Sequence, residues 1–395
     1  MENMVIRNTV NADIKIAVLG LGFVGLTAAA GFTAKGFSVT AYDIDANRRE
    51  MIANGTVPFH EPGLTPTGIT IANTQDEATQ DTDIVFLCVG TPQGADGAVD
   101  LTYINQALAT LNAPDDCLVV IKSTVPPGTT VSLKSRYTLA NNPEFLREGY
   151  AWQDFITPDR TVCGVTNEAS KQLLARVYAP FNAPVHFTTL NTAEFIKYLS
   201  NTMLATMISY ANEMSIVADA VGDIAVKQAF DILHQDKRLA GSGIASYIYP
   251  GAGYGGYCLP KDTQAMAYVG GNQANILKQV IATNENMTAI NVAKIIKHCP
   301  TRDTSITILG LSFKPDSDDV RDSTAAKIIE QLLAIGYTKI NAYDPLAMAE
   351  FQKHNDFAID YCDHLGEVVV IATGWQQFRD LDLSGKYIVD LRYIL

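Results

Sequence analysis

No apolar run in this chain reaches the roughly 20 residues that a bilayer-spanning helix needs, so no membrane partner is expected. The opening MENMVIRNTVNAD lacks the apolar core of a secretion signal. An N-terminal extension is therefore expected over residues 1–13, and the cytoplasm is favoured. The six cysteines, Cys88, Cys117, Cys163, Cys258, Cys299 and Cys362, form no CxxC pair. That argues against both a zinc knuckle and a disulfide framework. The six histidines are isolated, no HExxH occurs, and no metal site is expected. Positive charge is also scarce: Lys and Arg number 29 against 42 Asp and Glu, for a net charge of −13. A nucleic-acid binder would carry a basic face, so none is expected here, while a small anionic ligand needs only a local cluster of cations and N–H groups.

The 395 residues, 47% apolar and 18% charged, fit a globular protein of two or three domains. In the first half, IKIAVLG (14–20), FSVTAYD (37–43), TDIVFLCVG (82–90) and DCLVVIKST (116–124) read as buried strands separated by helical stretches. That alternation predicts a parallel sheet covered on both faces. Residues 191–222 have few breakers and helical apolar spacing, which predicts one long helix. A glycine-rich loop and more helix over 263–297 follow. TSITILGLSFK (304–314), KINAYDP (339–345), EVVVIATG (367–374) and KYIVDL (386–391) return to strands, and each α/β half holds an AYD after a strand that ends in Gly. The fold class is α/β: two Rossmann-like doubly wound parallel-sheet domains joined by a long central helix.

LGLGFVG sets Gly20, Gly22 and Gly25 in G-x-G-x-x-G spacing between a strand and a helix, and Asp43 closes the next strand. This is the dinucleotide fingerprint in its full context. Gly20 serves the tight turn, Gly22 the approach of a pyrophosphate and Gly25 close packing of helix on sheet, with Phe23 and Val24 at the helix start that faces the anion. Asp43 would accept from the ribose hydroxyls and repel a 2′-phosphate, which favours NAD over NADP. Arg48 could assist a phosphate or line the pocket. CVGTP ends another strand, and Gly90 and Thr91 there could touch the cofactor or simply close a turn.

Four polar segments stand out in apolar surroundings. KSTVPPGTT puts Thr124 just past a strand, and NPEFLREG puts Glu144 and Glu148 on one face if the segment is helical. EFIKYLSN puts Lys197 and Asn201 one helical turn apart, and GYGGYCLPKD holds Cys258, Lys261 and Asp262. Each has an ordinary explanation as well: Glu148 as a solvated residue, Lys197 as a lysine snorkelling from an apolar face, Thr124 as a strand cap, Cys258 as a small residue in a turn. Together they supply what thiol chemistry on an aldehyde needs.

With IAVLGLGFVGL, STVPPGTT, NPEFLREG, NTAEFIKYLSN, GYGGYCLPKD and FKPDSDDVRDS in this order, the chain resembles the UDP-glucose/GDP-mannose dehydrogenases. The resemblance implies oxidation of a sugar C6 alcohol to a carboxylate with two NAD per turnover. It implies Cys258 as nucleophile, forming a thiohemiacetal and then a thioester, and Lys197 and Asn201 as oxyanion donors. Asp262 would orient or activate water and Lys197, and Glu148 and Thr124 would move protons and position water. Glu144, Phe145, Leu146, Arg238, Tyr249, Gly253, Gly255 and Lys314 would contact substrate with Lys197 and Asn201, the glycines leaving room for a pyranose. Thr124, Glu148, Lys261 and Arg321 would join the glycine loop at the cofactor. Lys314 and Arg321 have an alternative as surface ion pairs with Asp316, Asp318, Asp319 or Asp322. The implied domains are 14–187 for NAD, 188–297 for dimerisation and the catalytic loop, and 298–395 for the UDP-sugar, in a homodimer joined through the central helix. Tyr257 before the thiol and the short chain favour UDP-glucose, with GDP-mannose and UDP-N-acetylhexosamines behind it. A non-catalytic NAD-binding sensor or scaffold is the alternative of another class.

Overall fold

The computed structural model describes residues 13–94, 96–241 and 243–395, so the expected extension over 1–13 lies, Asp13 apart, outside the described residues. The chain divides between Leu199 and Ser200 into two compact units.

In the first unit one sheet is built from β1 (Lys15–Leu19), β2 (Ser38–Tyr42), β3 (Thr70–Ile71), β4 (Ile84–Leu87), β5 (Leu118–Ile121), β6 (Thr138–Asn141), β7 (Thr161–Gly164) and β8 (Val185–Thr188). Their order is β3-β2-β1-β4-β5-β6-β7-β8, which reverses direction at β1 and β4. Both faces are buried. In β4, Ile84 and Phe86 join one apolar cluster while Val85 and Leu87 join the other. β1 and β5 alternate in the same way, which is why these strands read as continuous apolar runs. One pair departs from the parallel pattern: β6 and β7 meet antiparallel at Asn141 and Gly164. Parallel neighbours need a full crossover, whereas residues 142–160, with one short helix, make only a reversal.

In the second unit β9 (Ile306–Leu309), β10 (Ile340–Tyr343), β11 (Asp360–Tyr361), β12 (Val368–Ile371) and β13 (Tyr387–Asp390) form an all-parallel sheet in the order β11-β10-β9-β12-β13. The winding repeats that of the first five strands. The repeat extends to single hydrogen bonds. Gly20 N–H donates to Tyr42 O at 2.8 Å and Leu21 N–H to Asp43 Oδ2 at 2.6 Å. In the second sheet Gly310 N–H donates to Tyr343 O and Leu311 N–H to Asp344 Oδ2, each at 2.7 Å. The two AYD stretches thus end equivalent strands and anchor equivalent glycine turns.

The central helix is a single run, Leu190–Val221, and the division between the units falls inside it. Along it Phe195, Leu199, Met203, Tyr210, Val217 and Val221 are exposed, and steps of four and seven residues keep them on one face. The helical stretch expected over 263–297 is two helices, Cys258–Gly270 and Asn275–Ile296, broken at Gly271 with φ 51°. No helix among the described residues is long and apolar enough to cross a membrane.

Candidate active site

The glycine loop of the first unit is a tight turn between β1 and the first helix. Gly20 has φ +90°, and a Cβ there would lie 2.7 Å from Cys88 O. A Cβ on Gly25 would lie 1.8 Å from Gly20 O, so the helix Phe23–Ala34 sits as close to the loop as backbone allows. A Cβ on Gly22 would meet nothing within 4 Å. No side chain caps this helix, which leaves its first-turn N–H groups without a side-chain acceptor, the arrangement of an anion cradle. Asp43 is buried; its Oδ2 accepts from Leu21 N–H and from Arg48 Nη1 at 3.1 Å, and its Oδ1 from Asp45 N–H at 2.9 Å. Arg48, left open between phosphate partner and pocket lining, pairs with this carboxylate. Phe23 packs on Phe59 with ring centroids 5.3 Å apart, Val24 lies on the sheet core, and Gly90 is exposed. The Thr91 hydroxyl donates to Thr124 O at 2.9 Å, tying the turns after β4 and β5 together.

Deeper in this unit Lys197 Nζ stands 2.8 Å from Glu144 Oε1, both side chains buried. Lys197 therefore does not snorkel to solvent. Burial alone would raise the Glu144 pKa, but the Lys197 ammonium and the Leu146 N–H, 2.6 Å from Oε2, more than offset it and hold the carboxyl below its ordinary value. Phe145 carries the Lys197 ammonium 5.7 Å and the Arg160 guanidinium 4.3 Å from its ring centre. The segment from Asn142 to Gly149 is not helical, so the shared helical face of Glu144 and Glu148 does not form. Pro143 cannot donate, and other N–H groups of the segment go to carboxylates instead of helix carbonyls. Leu146 donates to Glu144, and Gly149 to Glu61 Oε2 at 2.9 Å. It is Glu144, expected from the resemblance to contact substrate, that pairs with Lys197, while Glu148 lies half-buried in the turn beyond.

In the second unit Cys258 is the exposed first residue of the helix Cys258–Gly270, not the end of a loop. A helix N-terminus favours negative charge, and Pro260 sits in the first turn, where a missing N–H costs nothing. Asp262 is buried and uses both oxygens: Oδ2 accepts from Asn201 Nδ2 at 2.7 Å and Oδ1 from Lys261 Nζ at 2.5 Å. Its role in the described structure is to hold those two donors. The loop leading to the thiol is pinned by side-chain amides. Asn212 Oδ1 accepts from Gly251 N–H at 2.7 Å, Asn284 bonds both Tyr254 N–H and Tyr254 O, at 2.8 and 3.0 Å, and Asn291 Nδ2 donates to Ala252 O at 2.9 Å. The glycines there admit protein rather than sugar on their Cβ side. A Cβ on Gly255 would stand 2.4 Å from Asp322 O, one on Gly256 3.1 Å from the Phe313 ring, and one on Gly253 3.0 Å from Asn284 Oδ1. The loop after β9 closes on this backbone, with Gly256 N–H donating to Arg321 O at 3.0 Å, and that contact demands the small residues.

Tyr257, next to the thiol, has the Arg321 guanidinium 4.5 Å and the Lys261 ammonium 5.5 Å from its ring centre. Arg321 also pairs with Asp319 at 2.8 Å, the surface ion pair weighed as its alternative. Lys314 is half-buried with its ammonium 5.6 Å from the Phe313 ring. Arg238 is exposed and paired with Asp236 at 2.6 Å, while Tyr249 packs on Phe230 and His234 beside the helix Val226–Leu233. Cys88, Cys117 and Cys163 are buried, and burial pushes each thiol up to about 12.

Among the charges not singled out from the sequence, Glu194 and Lys122 are buried and Arg392 is half-buried. Glu194 binds Gly128 N–H at 2.6 Å and Thr130 N–H at 2.7 Å, fixing the loop after Thr124; its place one turn before Lys197 was the available signal. Lys122 stands in the KSTVPPGTT stretch itself. Arg392, past the end of β13, donates to Ala372 O at 2.7 Å and Phe313 O at 3.0 Å, and burial lowers it to about 10; nothing in the sequence marks it.

Three family descriptions match in order: the UDP-glucose/GDP-mannose dehydrogenase NAD binding domain over residues 14–182, the central domain over 191–286 and the UDP binding domain over 307–395. The chain is 35% identical to UDP-glucose 6-dehydrogenase YwqF of Bacillus subtilis, covering 94% of this chain and 90% of that protein. It is also 35% identical to UDP-glucose 6-dehydrogenase of Rickettsia bellii, covering 97% and 96%. Among solved structures, a UDP-glucose dehydrogenase from the archaeon Pyrobaculum islandicum superposes with a TM-score of 0.91 at 34% identity, covering 98% of this chain and 96% of that one.

Proposed function

The chain belongs to the UDP-glucose/GDP-mannose dehydrogenase family, and from that premise we propose that it oxidises C6 of UDP-glucose to give UDP-glucuronate. The observation that carries the reading is the exposed Cys258 at a helix start, with Asp262 one turn further along the same helix held between Asn201 and Lys261. NAD, when bound, supplies the hydride acceptor for each of the two oxidations. Gly20, Gly22, Phe23, Val24, Gly25 and Asp43 would hold it, with Gly90, Thr91 and Arg321 at its margin.

In the first oxidation C6 loses a hydride and its hydroxyl proton and becomes an aldehyde. Cys258 Sγ then bonds to C6 and gives a thiohemiacetal, whose oxygen is stabilised by the donors Lys197 and Asn201. Loss of a second hydride leaves a thioester. Water adds to that carbonyl, the C–S bond breaks, and the carboxylate leaves with the thiol restored. Thr124 and Glu148 position the water and take up its proton. Asp262 orients Asn201, and Glu144 orients Lys197. Lys314 binds the nucleotide sugar.

Residues 14–187, 188–297 and 298–395 would then serve cofactor, catalysis with dimerisation, and nucleotide sugar. The exposed apolar stripe of the central helix supports a homodimer, to which Arg238 would contribute across the interface. A monomeric mass in light scattering at micromolar concentration would refute it. The cytoplasm is the proposed site of action.

NADH formation with UDP-glucose, GDP-mannose and UDP-N-acetylhexosamines tests the substrate, with UDP-glucose expected to give by far the largest kcat/KM. Undiminished turnover in Cys258→Ser would overturn the thioester route. No NADH with any of these sugars would leave a cofactor-binding protein without this chemistry.

A further inference from the structure

We propose that Lys122 is a positioning residue whose buried charge acts through Glu144 and strengthens the hold of Lys197 on the developing C6 oxyanion. The inference rests on the reaction proposed above. β5 ends at Ile121, and the next residue, Lys122, is only 4% exposed. Its Nζ donates to Asn142 Oδ1 at 2.8 Å, an oxygen that also accepts from the Tyr178 hydroxyl at 2.5 Å. Asn142 Nδ2 donates in turn to Val162 O at 2.8 Å. Asn142 is thus held from three elements, and two residues later the chain presents Glu144 to Lys197.

The charge of Lys122 has no private counter-ion. Among the described residues no carboxylate forms an ion pair with it. The titratable groups that face it are Cys88 after β4, Cys163 on β7, Tyr178 on the helix Glu168–Tyr178, Glu144 after β6 and Lys197 on the central helix, with the Phe155 ring 5.7 Å away. Burial pushes both thiols up to about 12 and raises the phenol well above its ordinary value, so all three stay neutral. Glu144 is the carboxylate whose charge acts on both ammonium groups. Tethering Asn142 needs only a donor, and an uncharged one would avoid the cost of a buried cation. A cation is needed if Glu144 must be shared. Alone, Glu144 would neutralise Lys197; divided between two lysines, it leaves Lys197 with positive potential to spend on an oxyanion.

The test is kcat against pH for the full chain and for Lys122→Met, with UDP-glucose and NAD saturating. Near neutral pH the wild type should exceed the variant by about tenfold in kcat, with KM for both ligands little changed. Burial lowers the Lys122 pKa below the ordinary lysine value, so wild-type Lys122 discharges as pH rises. The ratio of the two kcat values should then fall towards one. Titrations shared by both proteins cancel in that ratio. A ratio that is constant with pH, or equal kcat values at neutral pH, overturns the proposal and leaves a structural tether. Should Lys122→Met not fold, Lys122→Gln keeps a donor for Asn142 and is read by the same ratio. A wild type that oxidises no nucleotide sugar overturns the reaction and this inference together, whereas an active wild type with a flat ratio overturns this inference alone.

Discussion

Alanine at Gly22 and at Gly25 is the same chemical change three residues apart, and the structure predicts opposite outcomes. At Gly25 the new Cβ would stand 1.8 Å from Gly20 O and 3.0 Å from Cys88 Cβ. Reaching even a 3.0 Å separation from that oxygen requires a shift of about 1.2 Å in a main chain fixed by the turn at Gly20, φ +90°. Overpacking of this kind costs about 1–3 kcal/mol, which for a unit of this size lowers Tm by about 2–4 °C per kcal/mol. Gly22 has φ −70° and ψ −167°, extended backbone that alanine adopts without strain, and its Cβ would meet nothing within 4 Å. Gly22→Ala should therefore melt with the wild type but lose NAD affinity, because the methyl group occupies the space meant for the pyrophosphate. The assay is a thermal melt of the apo chain beside an NAD titration by calorimetry. Wild-type melting and NAD affinity in Gly25→Ala would refute the packing argument. Wild-type NAD affinity in Gly22→Ala would refute the cradle.

Glu144→Gln should be destabilised at neutral pH by about 3–5 kcal/mol, the usual cost of stranding a buried charge, here Lys197. Because the folded pKa of Glu144 is depressed, its contribution is full above the unfolded carboxylate range and is lost as pH falls through the folded value. The gap between wild type and variant in denaturant melts should therefore close in acid, and a gap independent of pH would count against the pairing. Brief alkylation of the native chain followed by mass spectrometry should label Cys258 first and leave Cys88, Cys117 and Cys163 unmodified, since those thiols are buried and pushed up to about 12. Early labelling of Cys88 or Cys163 would contradict their placement.

Among the described residues, eight of the thirteen strands were legible because both faces of these sheets are buried, so each of the eight is a near-continuous apolar run such as IVFL in β4 or VVVI in β12. The strands that escaped are short or polar. β3 and β11 have two residues each, and β8, VHFT, is only partly buried. The long helix was readable to within a residue at either end because nothing in 190–221 breaks the pattern. The start of the thiol helix was not, because glycine and proline around Cys258 resemble a loop. Only the close approach of Asp322 O and Phe313 explains those glycines as packing.

By itself the sequence determined the two-sheet α/β class, the place of the glycine loop and the family. These depend on local pattern and on motif spacing, which the chain carries in order. The tertiary structure alone decided that Glu144 pairs with Lys197, that Asp262 holds Asn201 and Lys261, and that Lys122 and Glu194 are buried. The energy of a charge depends on its surroundings in three dimensions, on whether water is excluded and which partner stands within about 3 Å. Apart from Lys261, the neighbour of Asp262, residues 20 to 66 positions apart in the sequence supply those partners, and no local spacing announces them.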